Sequence, residues 1–485
     1  MFSARRLGLL ICGLLLPIQP PASGQETERV SVDSAGAEAN GDSYAWGGGI
    51  SGDGRCVVFG SYASNLVAND TNALRDVFVR DRETGTTERV SVDSAGGQAD
   101  DFSWNFEFAI STDGRCVAFV SYASNLVQGD TNQDEDVFVH DRATGTTERV
   151  SVDSAGGQAN GGNRHVPGSS QPSISADGQV VAFTSFADNL VTGDANGVSD
   201  VFVHDRSSGV TERVSVDSAG AEANGASDGP AISADGRFVA FTSAADDLVA
   251  GDTNQTYDVF VHDRATGTTE RVSVDSLGVE GNATSSVASI SADGQVVAFH
   301  SSASNLVAGD SNGTYDVFVH DRSTGITERG SVDSSGRQAD GGSSYPSLSS
   351  DGRRLAFRSF ATNLVSNDTN GVGDVFLRDR TTGTTERVSV DASEAEADGE
   401  SFSAAISGDG RIVAFTSIAT NLIAGDTNSF YDVFVRDTGV PAAWSNYGTG
   451  VAGTNGVPSL TSQLPVLGTT ITVTVGNSLG APTVG

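Results

Sequence analysis

The sequence contains no lysine, so every one of its 28 fixed positive charges is an arginine. Acidic residues number 62, and the resulting net charge of −34 argues against nucleic acid as a partner, because binding to phosphate backbones depends on cationic surfaces. The motifs H-E-x-x-H and C-x-x-C are also absent, so two common signatures of metalloproteases and thiol redox enzymes are missing. Arginine favours planar, bidentate pairing with the many carboxylates.

The sequence also lacks an apolar run of the roughly 20 residues that a membrane-spanning helix needs. Residues 1–24 combine two arginines, a shorter apolar stretch and the small residues 22–24, which predicts a cleavable secretory signal peptide. Lipidation at Cys12 is disfavoured because the bulky Ile11 precedes it. We therefore expect a secreted or periplasmic, strongly acidic monomer without a transmembrane segment in the mature chain, with attachment to the cell surface as an alternative.

A repeat of about 58 residues occupies most of the chain. Its landmark is the aspartate of a D-x-N motif, found at Asp70, Asp130, Asp194, Asp252, Asp310, Asp368 and Asp426. Each copy contains four short runs rich in Val, Phe and Thr, separated by Gly, Asp and Asn turns, and none shows a helical period. Four strands per copy, repeated seven times, predict an all-β protein with the fold of a seven-bladed β-propeller.

The repeat count also predicts how the ring closes. The fourth strand, T-E-R-V-S-V, first appears at Thr27 ahead of any other strand, and the seventh copy lacks one after Asp437. The N-terminal strand is therefore expected to complete the last blade, which removes open sheet edges. The domains predicted are a signal peptide at 1–24, a propeller at 25–440 and a linker with a partial β-rich segment at 441–485.

Loop lengths divide the propeller into two faces. The first-to-second and third-to-fourth turns are tight, for example S-A-D-G-R, whereas the second-to-third and blade-to-blade connections each run to about a dozen residues. In an up-and-down blade the two long connections emerge on the same side. This acidic long-loop face is where we expect function to lie.

The repeats resemble those of a known family. The runs P-S-I-S-A-D-G-Q-V-V-A-F-T-S and D-V-F-V-H-D-R-S-S-G are similar to the repeat of the TolB-like, WD40-like (PD40) propellers of bacterial periplasmic and secreted proteins. The resemblance covers residues 27–437 and implies a propeller used mostly for protein–protein contact, sometimes as an accessory to a catalytic domain. Seven repeats replace the six of TolB, and TolB's α/β N-terminal domain is missing, so the Tol partners are not carried over.

The two cysteines outside the leader occupy one repeat position. Cys56 and Cys116 lie in the second strand of neighbouring copies, where Val180 and Val296 stand elsewhere. Equivalent points on adjacent blades usually lie farther apart than the Cα separation of about 7 Å that a disulfide tolerates. Two buried free thiols are therefore predicted.

Calcium is the one metal for which the sequence offers ligands. The D-x-N motif is richest in the second repeat, where Asp130, Asn132, Asp134 and Asp136 alternate as at the start of an EF-hand loop. No glutamate stands at position 12 of any copy, so the alternative is that Asp and Asn cap a tight bend. We keep calcium binding at these four residues as a hypothesis, and no other cofactor is predicted.

Histidine has no catalytic pattern. His140, His204, His262 and His320 occupy one repeat position, and Arg80, Arg378 and Arg436 fill that position in other copies. A position that accepts either cation around a ring indicates a structural role.

Departures from the repeat are therefore more informative about function than the repeat itself. Bulky or charged residues interrupt the blade-to-blade loops, and we take as candidate ligand-binding residues Tyr44, Trp46, Trp104, Phe106, Arg164, His165 and Tyr345. The alternative is that they fill gaps between loops. The function predicted is a non-catalytic scaffold that binds a protein or carbohydrate ligand on its long-loop face. The alternatives are a carbohydrate-active lyase or hydrolase, or a calcium-dependent carbohydrate-binding protein, using the central funnel.

Overall fold

The computed structural model describes residues 25–45, 49–103, 108–160 and 168–439, which form twenty-eight strands in seven four-stranded sheets. Within these ranges there is no helix, and hence none that could span a membrane. The sheets are antiparallel and follow one another along the chain, which confirms the predicted seven-bladed propeller. The predicted segments 1–24 and 441–485 lie outside the described residues.

Blades 1 to 7 are numbered in chain order, and strands run from the channel outward. Blade 1 consists of β2 (Ser43–Tyr44), β3 (Cys56–Ser61), β4 (Asp76–Asp81) and β5 (Thr86–Arg89). Blade 2 consists of β6 (Phe108–Ile110), β7 (Cys116–Ser121), β8 (Asp136–Asp141) and β9 (Thr146–Arg149). Blade 3 consists of β10 (Ser169–Ile174), β11 (Val180–Ser185), β12 (Asp200–Asp205) and β13 (Val210–Arg213). Blade 4 consists of β14 (Ser227–Ile232), β15 (Phe238–Ser243), β16 (Asp258–Asp263) and β17 (Thr268–Arg271). Blade 5 consists of β18 (Ser285–Ile290), β19 (Val296–Ser301), β20 (Asp316–Asp321) and β21 (Ile326–Arg329). Blade 6 consists of β22 (Ser343–Leu348), β23 (Arg354–Ser359), β24 (Asp374–Asp379) and β25 (Thr384–Arg387). Blade 7 consists of β26 (Ser401–Ile406), β27 (Ile412–Ser417), β28 (Asp432–Asp437) and β1 (Thr27–Arg29).

The core lies between blades, because both faces of the two middle strands of each blade are covered. In blade 1 the register places Phe59 opposite Phe78, and their rings stack with centroids 5.8 Å apart. The same pair recurs in all seven blades at 5.8 to 6.0 Å. Such a repeated aromatic pair explains why the V-x-F spacing is kept from copy to copy.

Hairpins of the short-loop face are fixed by their own side chains. In blade 1, Ser51 Oγ donates to Asp53 Oδ1 at 2.7 Å, Arg55 N donates to the same oxygen, and Gly54 adopts a φ of 73°. An aspartate and a glycine at these two positions satisfy the turn and permit the left-handed backbone. The S-x-D-G sequence therefore encodes the turn.

These hairpins also link the blades into a girdle of backbone hydrogen bonds. Gly52 N donates to Thr112 O at 2.9 Å, and the same bond then passes from blade to blade until Asp409 N donates to Gly52 O at 3.1 Å. The members of the girdle are Gly52, Thr112, Ala176, Ala234, Ala292, Ser350, Gly408 and Asp409. The ring thus closes on its short-loop face without the N-terminal strand.

The second closure is the predicted one. Strand β1 pairs with β28, with Thr27 opposite Arg436 and Arg29 opposite Phe434, in the sheet that holds β26 and β27. Val30 is fully buried behind it. The N-terminal strand therefore completes blade 7, as expected from the repeat count.

Cys56 and Cys116 are buried free thiols, as predicted. Burial raises the pKa of both thiols. They belong to the interior of the blades rather than to a reactive site.

Candidate binding face and central channel

Exposed large apolar side chains edge the long-loop face, and we call them the aromatic rim. They come from the residue directly after the second strand of a blade or the residue directly before the third, positions at the same end of the sheet because Ser61 pairs with Asp76 there. The rim consists of Tyr62, Phe186, Tyr257, Tyr315 and Phe360, which are 36% to 50% exposed, and of two residues of blade 7, Ile418 directly after β27 and Phe430 two residues before β28. Exposed apolar groups that recur along one face are typical of an interaction surface.

Acidic side chains lie next to the rim. Asp100 accepts a hydrogen bond from Ser124 N at 2.8 Å, and Asp340 accepts one from Thr362 N at 2.7 Å, so these carboxylates hold the two kinds of long loop together. The exposed aspartates in this set are Asp100, Asp188, Asp246, Asp340 and Asp398. The rim is therefore apolar within a negatively charged surround.

Tyr44, a predicted site residue, belongs to an aromatic cluster where blade 7 meets blade 1. Its ring centroid lies 5.4 Å from that of Tyr431, and Phe402 lies 5.5 Å from Tyr431. The Arg75 guanidinium stacks 5.2 Å from the Tyr44 centroid and 5.0 Å from that of Tyr62 in the rim. Burial raises the pKa of Tyr44 to about 12. The Arg75 guanidinium therefore joins the cluster to the rim, and the half-buried Tyr44 stays a predicted ligand-binding residue.

Tyr345, the second described site residue, lines the central channel. Its ring lies edge-on to His300 at 5.8 Å, and His300 lies edge-on to Tyr315 of the rim at 5.2 Å. Burial lowers the pKa of His300 to about 4, so the imidazole is neutral at physiological pH, and it bonds with Ser286 Oγ at 2.9 Å. These three rings connect the rim to the channel wall.

The remaining predicted site residues lie outside the described ranges. They are Trp46, Trp104, Phe106, Arg164 and His165. Their assignment as ligand-binding residues stays a prediction.

The inner strands surround a channel cavity of about 580 Å³. Serine side chains join neighbouring inner strands, since Ser173 Oγ accepts from Ile232 N at 3.1 Å and Ser289 Oγ accepts from Leu348 N at 3.0 Å. Among the described residues of this wall, Asp228 alone carries a charged side chain, and burial raises its pKa. The channel is large enough for a small ligand.

The D-x-N motif forms a bend stabilised from three directions. In blade 2, Asn132 Oδ1 accepts from Asp134 N at 3.2 Å, while its Nδ2 donates to Asp136 Oδ2 at 3.2 Å. Arg149 Nη1 lies 3.5 Å from Asp130 and 3.3 Å from Asp136, whose pKa burial raises to about 6. The bend therefore has the Asx-turn geometry that was the alternative interpretation. Calcium binding by Asp130, Asn132, Asp134 and Asp136 stays a prediction.

Three other blades gather three carboxylates at the equivalent place. The groups are Asp194, Asp200 and Glu222; Asp252, Asp258 and Glu280; and Asp368, Asp374 and Glu396, with ligand oxygens within 4.8 Å of one another. In the first group Arg213 Nη1 lies 3.6, 3.4 and 2.5 Å from the three carboxylates. These donors suit a hard divalent cation, and the guanidinium already supplies a counter-charge among them.

The four repeated histidines are structural. His140 Nδ1 lies 2.9 Å from Thr147 Oγ1, and burial lowers the pKa of His140. In blade 1 Arg80 Nη1 donates to Thr87 Oγ1 at 3.2 Å from the same position. Imidazole and guanidinium therefore serve the same threonine, in agreement with the structural role expected from the sequence.

Sequence reasoning missed the rim and the channel carboxylate. The rim positions could have been found by aligning the seven copies and comparing the residue after the second strand. Three copies have an aromatic residue there, Tyr62, Phe186 and Phe360, whereas two others have Ala244 and Ser302. Asp228 lies within a G-x-S-x-G pentapeptide at 225–229, but its Ser227 is the inner-strand serine that donates to Ser243 Oγ at 2.9 Å. The same serine pair recurs in every blade, so this pentapeptide is not a nucleophile elbow.

No protein-family model and no curated protein matches the chain. Solved structures similar to it include TolB from Acinetobacter baumannii, with 17% identity and a TM-score of 0.37 over 64% of this chain and 58% of that one. An oligogalacturonate lyase from Vibrio parahaemolyticus has 12% identity and a TM-score of 0.49 over 85% and 97% of the two chains. The β-propeller domain of the Trilobed protease from Pyrococcus furiosus has 10% identity and a TM-score of 0.48 over 82% and 98%. TolB-like propellers thus stand among the structures similar to this chain, and at these identities the likeness concerns the fold alone.

Proposed function

We propose that the protein is a non-catalytic binding protein, secreted by means of its N-terminal leader, whose long-loop face holds a segment of a protein partner. The observation that supports this proposal is the aromatic rim with its surround of exposed aspartates. Apolar side chains of the partner would pack on Tyr62, Phe360 and their counterparts. Its basic side chains would pair with the aspartates, so the segment is expected to be both basic and apolar.

A capture experiment from the medium and envelope of the producing cell, followed by a titration of the partner obtained, tests the proposal. Tyr62→Ala and Phe360→Ala are each expected to weaken binding at least tenfold, as for aromatic anchors in other interfaces. Val210→Ala and Ile326→Ala provide matched controls, because these residues are 49% and 54% exposed at the first position of β13 and β21, on the short-loop face. Loss of binding in the controls, or full affinity in both rim variants, would contradict the proposal.

An enzyme acting in the channel is the second candidate, and Asp228 is the observation that favours it. A carboxyl group with a raised pKa suits a general acid. Glycoside hydrolysis ordinarily uses two carboxyl groups, and the described channel wall offers one. Turnover of a polysaccharide that Asp228→Asn abolishes would establish this function in place of the first.

A further inference from the structure

Blade 4 has a notch in the wall of the central channel. At the bulge of each inner strand in blades 3 to 7 one residue has a positive φ and lines the channel. These residues are Gln171, Gly229, Val287, Tyr345 and Ser403. In blade 4 that residue is Gly229, with a φ of 62°. The missing side chain leaves an opening that the other four blades fill.

Threonines at one repeat position next to the channel differ in whether their hydroxyl group has a hydrogen-bond partner. In blade 3, Thr184 Oγ1 donates to Gln171 Oε1 at 2.9 Å, and in blade 7 Thr416 Oγ1 accepts from Ala45 N at 2.9 Å. Thr242 occupies the same position in blade 4 and is only 3% exposed, yet its Oγ1 has no hydrogen-bond partner within the described part of the chain. A Cβ added at Gly229 would lie 3.9 Å from this oxygen, so the hydroxyl borders the space that the glutamine fills in blade 3. Buried hydroxyl groups are usually paired, and this one has the place of its partner open.

A carboxyl group lies beside that hydroxyl. Asp228 is directly opposite Thr242 in the register of β14 and β15, and both belong to the channel wall. No described residue of the wall carries a positive charge that could neutralise it. The chain as a whole carries a net charge of −34, so the potential in the channel favours a cation over an anion.

We propose that the notch formed by Asp228, Gly229 and Thr242 binds a small amine that carries a neighbouring hydroxyl group, as amino sugars and amino alcohols do. The ammonium group donates to the Asp228 carboxylate, and the ligand hydroxyl exchanges a hydrogen bond with Thr242 Oγ1. The remainder of the ligand lies in the cavity of about 580 Å³, against the apolar faces of Pro172, Pro230 and Pro346. This site is separate from the long-loop face and does not depend on the function proposed for it.

Calorimetric titration of the whole protein with glucosamine, N-acetylglucosamine and glucose tests the proposal. The three sugars share a ring, and glucosamine alone carries an ammonium group. Glucosamine is expected to bind at least about tenfold more tightly than the other two, because only its ammonium forms a charge-assisted hydrogen bond with Asp228. Equal affinity for the three sugars, or no binding at millimolar glucosamine, would overturn the proposal.

Two variants locate the site, and both copy residues that sister blades already contain. Asp228→Ser introduces the residue found at this position as Ser170 and Ser286, and Gly229→Gln introduces the blade 3 residue, which has a φ of 54° there. Each is expected to lower the affinity for glucosamine at least about tenfold. Val210→Gln introduces the same side chain at an exposed position of the short-loop face, outside the channel, and should leave the affinity unchanged. Unaltered binding in both notch variants would place the amine elsewhere.

Discussion

Deleting residues 25–33 removes the strand that completes blade 7, and the structure allows the loss to be counted. The deletion breaks the backbone hydrogen bonds from Val30 N to Val433 O, 2.8 Å, and from Asp437 N to Glu26 O, 3.0 Å, besides the ladder of β1. It uncovers the apolar groups packed on Val30 and removes Ser31 Oγ, which donates to the fully buried Asp432 at 2.6 Å. Contacts between blades 7 and 1 that do not involve residues 25–33 remain, among them the girdle bond from Asp409 N to Gly52 O and the bond from Ser43 N to Tyr431 O at 2.7 Å.

The magnitude follows from these contacts. The two backbone hydrogen bonds contribute about 1 kcal/mol each. Burial of the Val30 side chain contributes about 1.5 to 3 kcal/mol, and loss of the Ser31 hydrogen bond from the buried Asp432 carboxylate, which keeps its bond from Asn428 Nδ2, costs about 1 to 3 kcal/mol. The sum of about 4.5 to 8 kcal/mol is comparable with the whole stability of many proteins, about 5 to 15 kcal/mol. We therefore expect the deletion variant to unfold at a much lower urea concentration and to associate through the open edge of β28.

A pair of point variants tests the same reasoning without an open edge. Val30 and Val150 are equivalent residues and both are fully buried, but Val30 follows the terminal strand and Val150 follows β9, which the chain connects to its blade. Each Val→Ala change should cost about 2 kcal/mol through lost burial and the cavity left behind. Equal shifts in the urea midpoint show that β1 is docked as firmly as an internal strand. A much smaller shift for Val30→Ala would refute the conclusion that β1 is a firmly docked closing strand of blade 7.

Two further predictions concern residues at which single blades differ. Gly330→Val should destabilise the protein because a Cβ there would lie 2.3 Å from Leu355 Cδ2, and Leu355→Val should restore stability in the double variant, as urea midpoints of the four proteins will show. Asp194→Asn should stabilise the protein at pH 7.5 and less at pH 5, because burial and the neighbouring Asp200 raise the pKa of Asp194 from 3.8 to about 6, so that the cost of its charge in the native state builds up between these two pH values and is complete only above the higher one. Asp310→Asn is the matched control and should destabilise at both pH values, since an asparagine that keeps its Oδ1 on Gln338 Nε2, which donates to Asp310 Oδ1 at 2.8 Å, turns its NH2 group toward Arg329, whose Nη2 lies 3.4 Å from Asp310 Oδ2; stabilisation by this control would contradict the explanation.

The ring could be predicted from the sequence because its determinants are local. Alternating Val and Phe, an S-x-D-G turn and an unpaired fourth strand at Thr27 each concern residues close together in the chain, and together they give the number of blades and the closure. The D-x-N motif shows where such reasoning stops. Its aspartates meet an arginine from the outer strand and, in four blades, a glutamate still farther along, as Asp194 meets Arg213 and Glu222. Contacts of that kind depend on strand register, which a linear comparison with a calcium loop does not contain.

The candidate site was predictable only in part, for a different reason. Tyr44 and Tyr345 stand out as bulky residues in small, polar stretches that the sequence assigned to blade-to-blade loops, although the structure places them in the inner strands β2 and β22, and both lie near the long-loop face. The rim residues Tyr62 and Tyr315 do not stand out, because they follow or precede regular strands and resemble repeat residues. Their exposure results from the end of the sheet at which they lie.

At some repeat positions where one blade has a different residue, the neighbouring blade supplies the contact that would otherwise be missing. Such departures from the repeat have a structural explanation. Gly330 stands where the other copies have valine, and the larger Leu355 of the next blade occupies the space. Thr438 stands where the other copies have arginine. In blade 1 that arginine, Arg82, donates from Nη1 to the hairpin carbonyl Gly54 O at 2.8 Å, and in blade 7 Arg354 Nη1 of the preceding blade donates to the equivalent Gly410 O at 3.2 Å instead.

Gly229 has no such compensation among the described residues. The glutamine that caps Thr184 in blade 3 has no substitute over Thr242, and an unneutralised carboxyl group lies beside the vacant position. Packing and hydrogen bonding account for the first two departures from the repeat, since each restores the contact that it removed. They do not account for the third, which leaves a buried hydroxyl unpaired at a cost of about 1 to 3 kcal/mol. A ligand that supplies the missing hydrogen bond would recover that cost, and this is the physical reason for assigning the notch in blade 4, rather than the repeated acids or histidines, to a binding site.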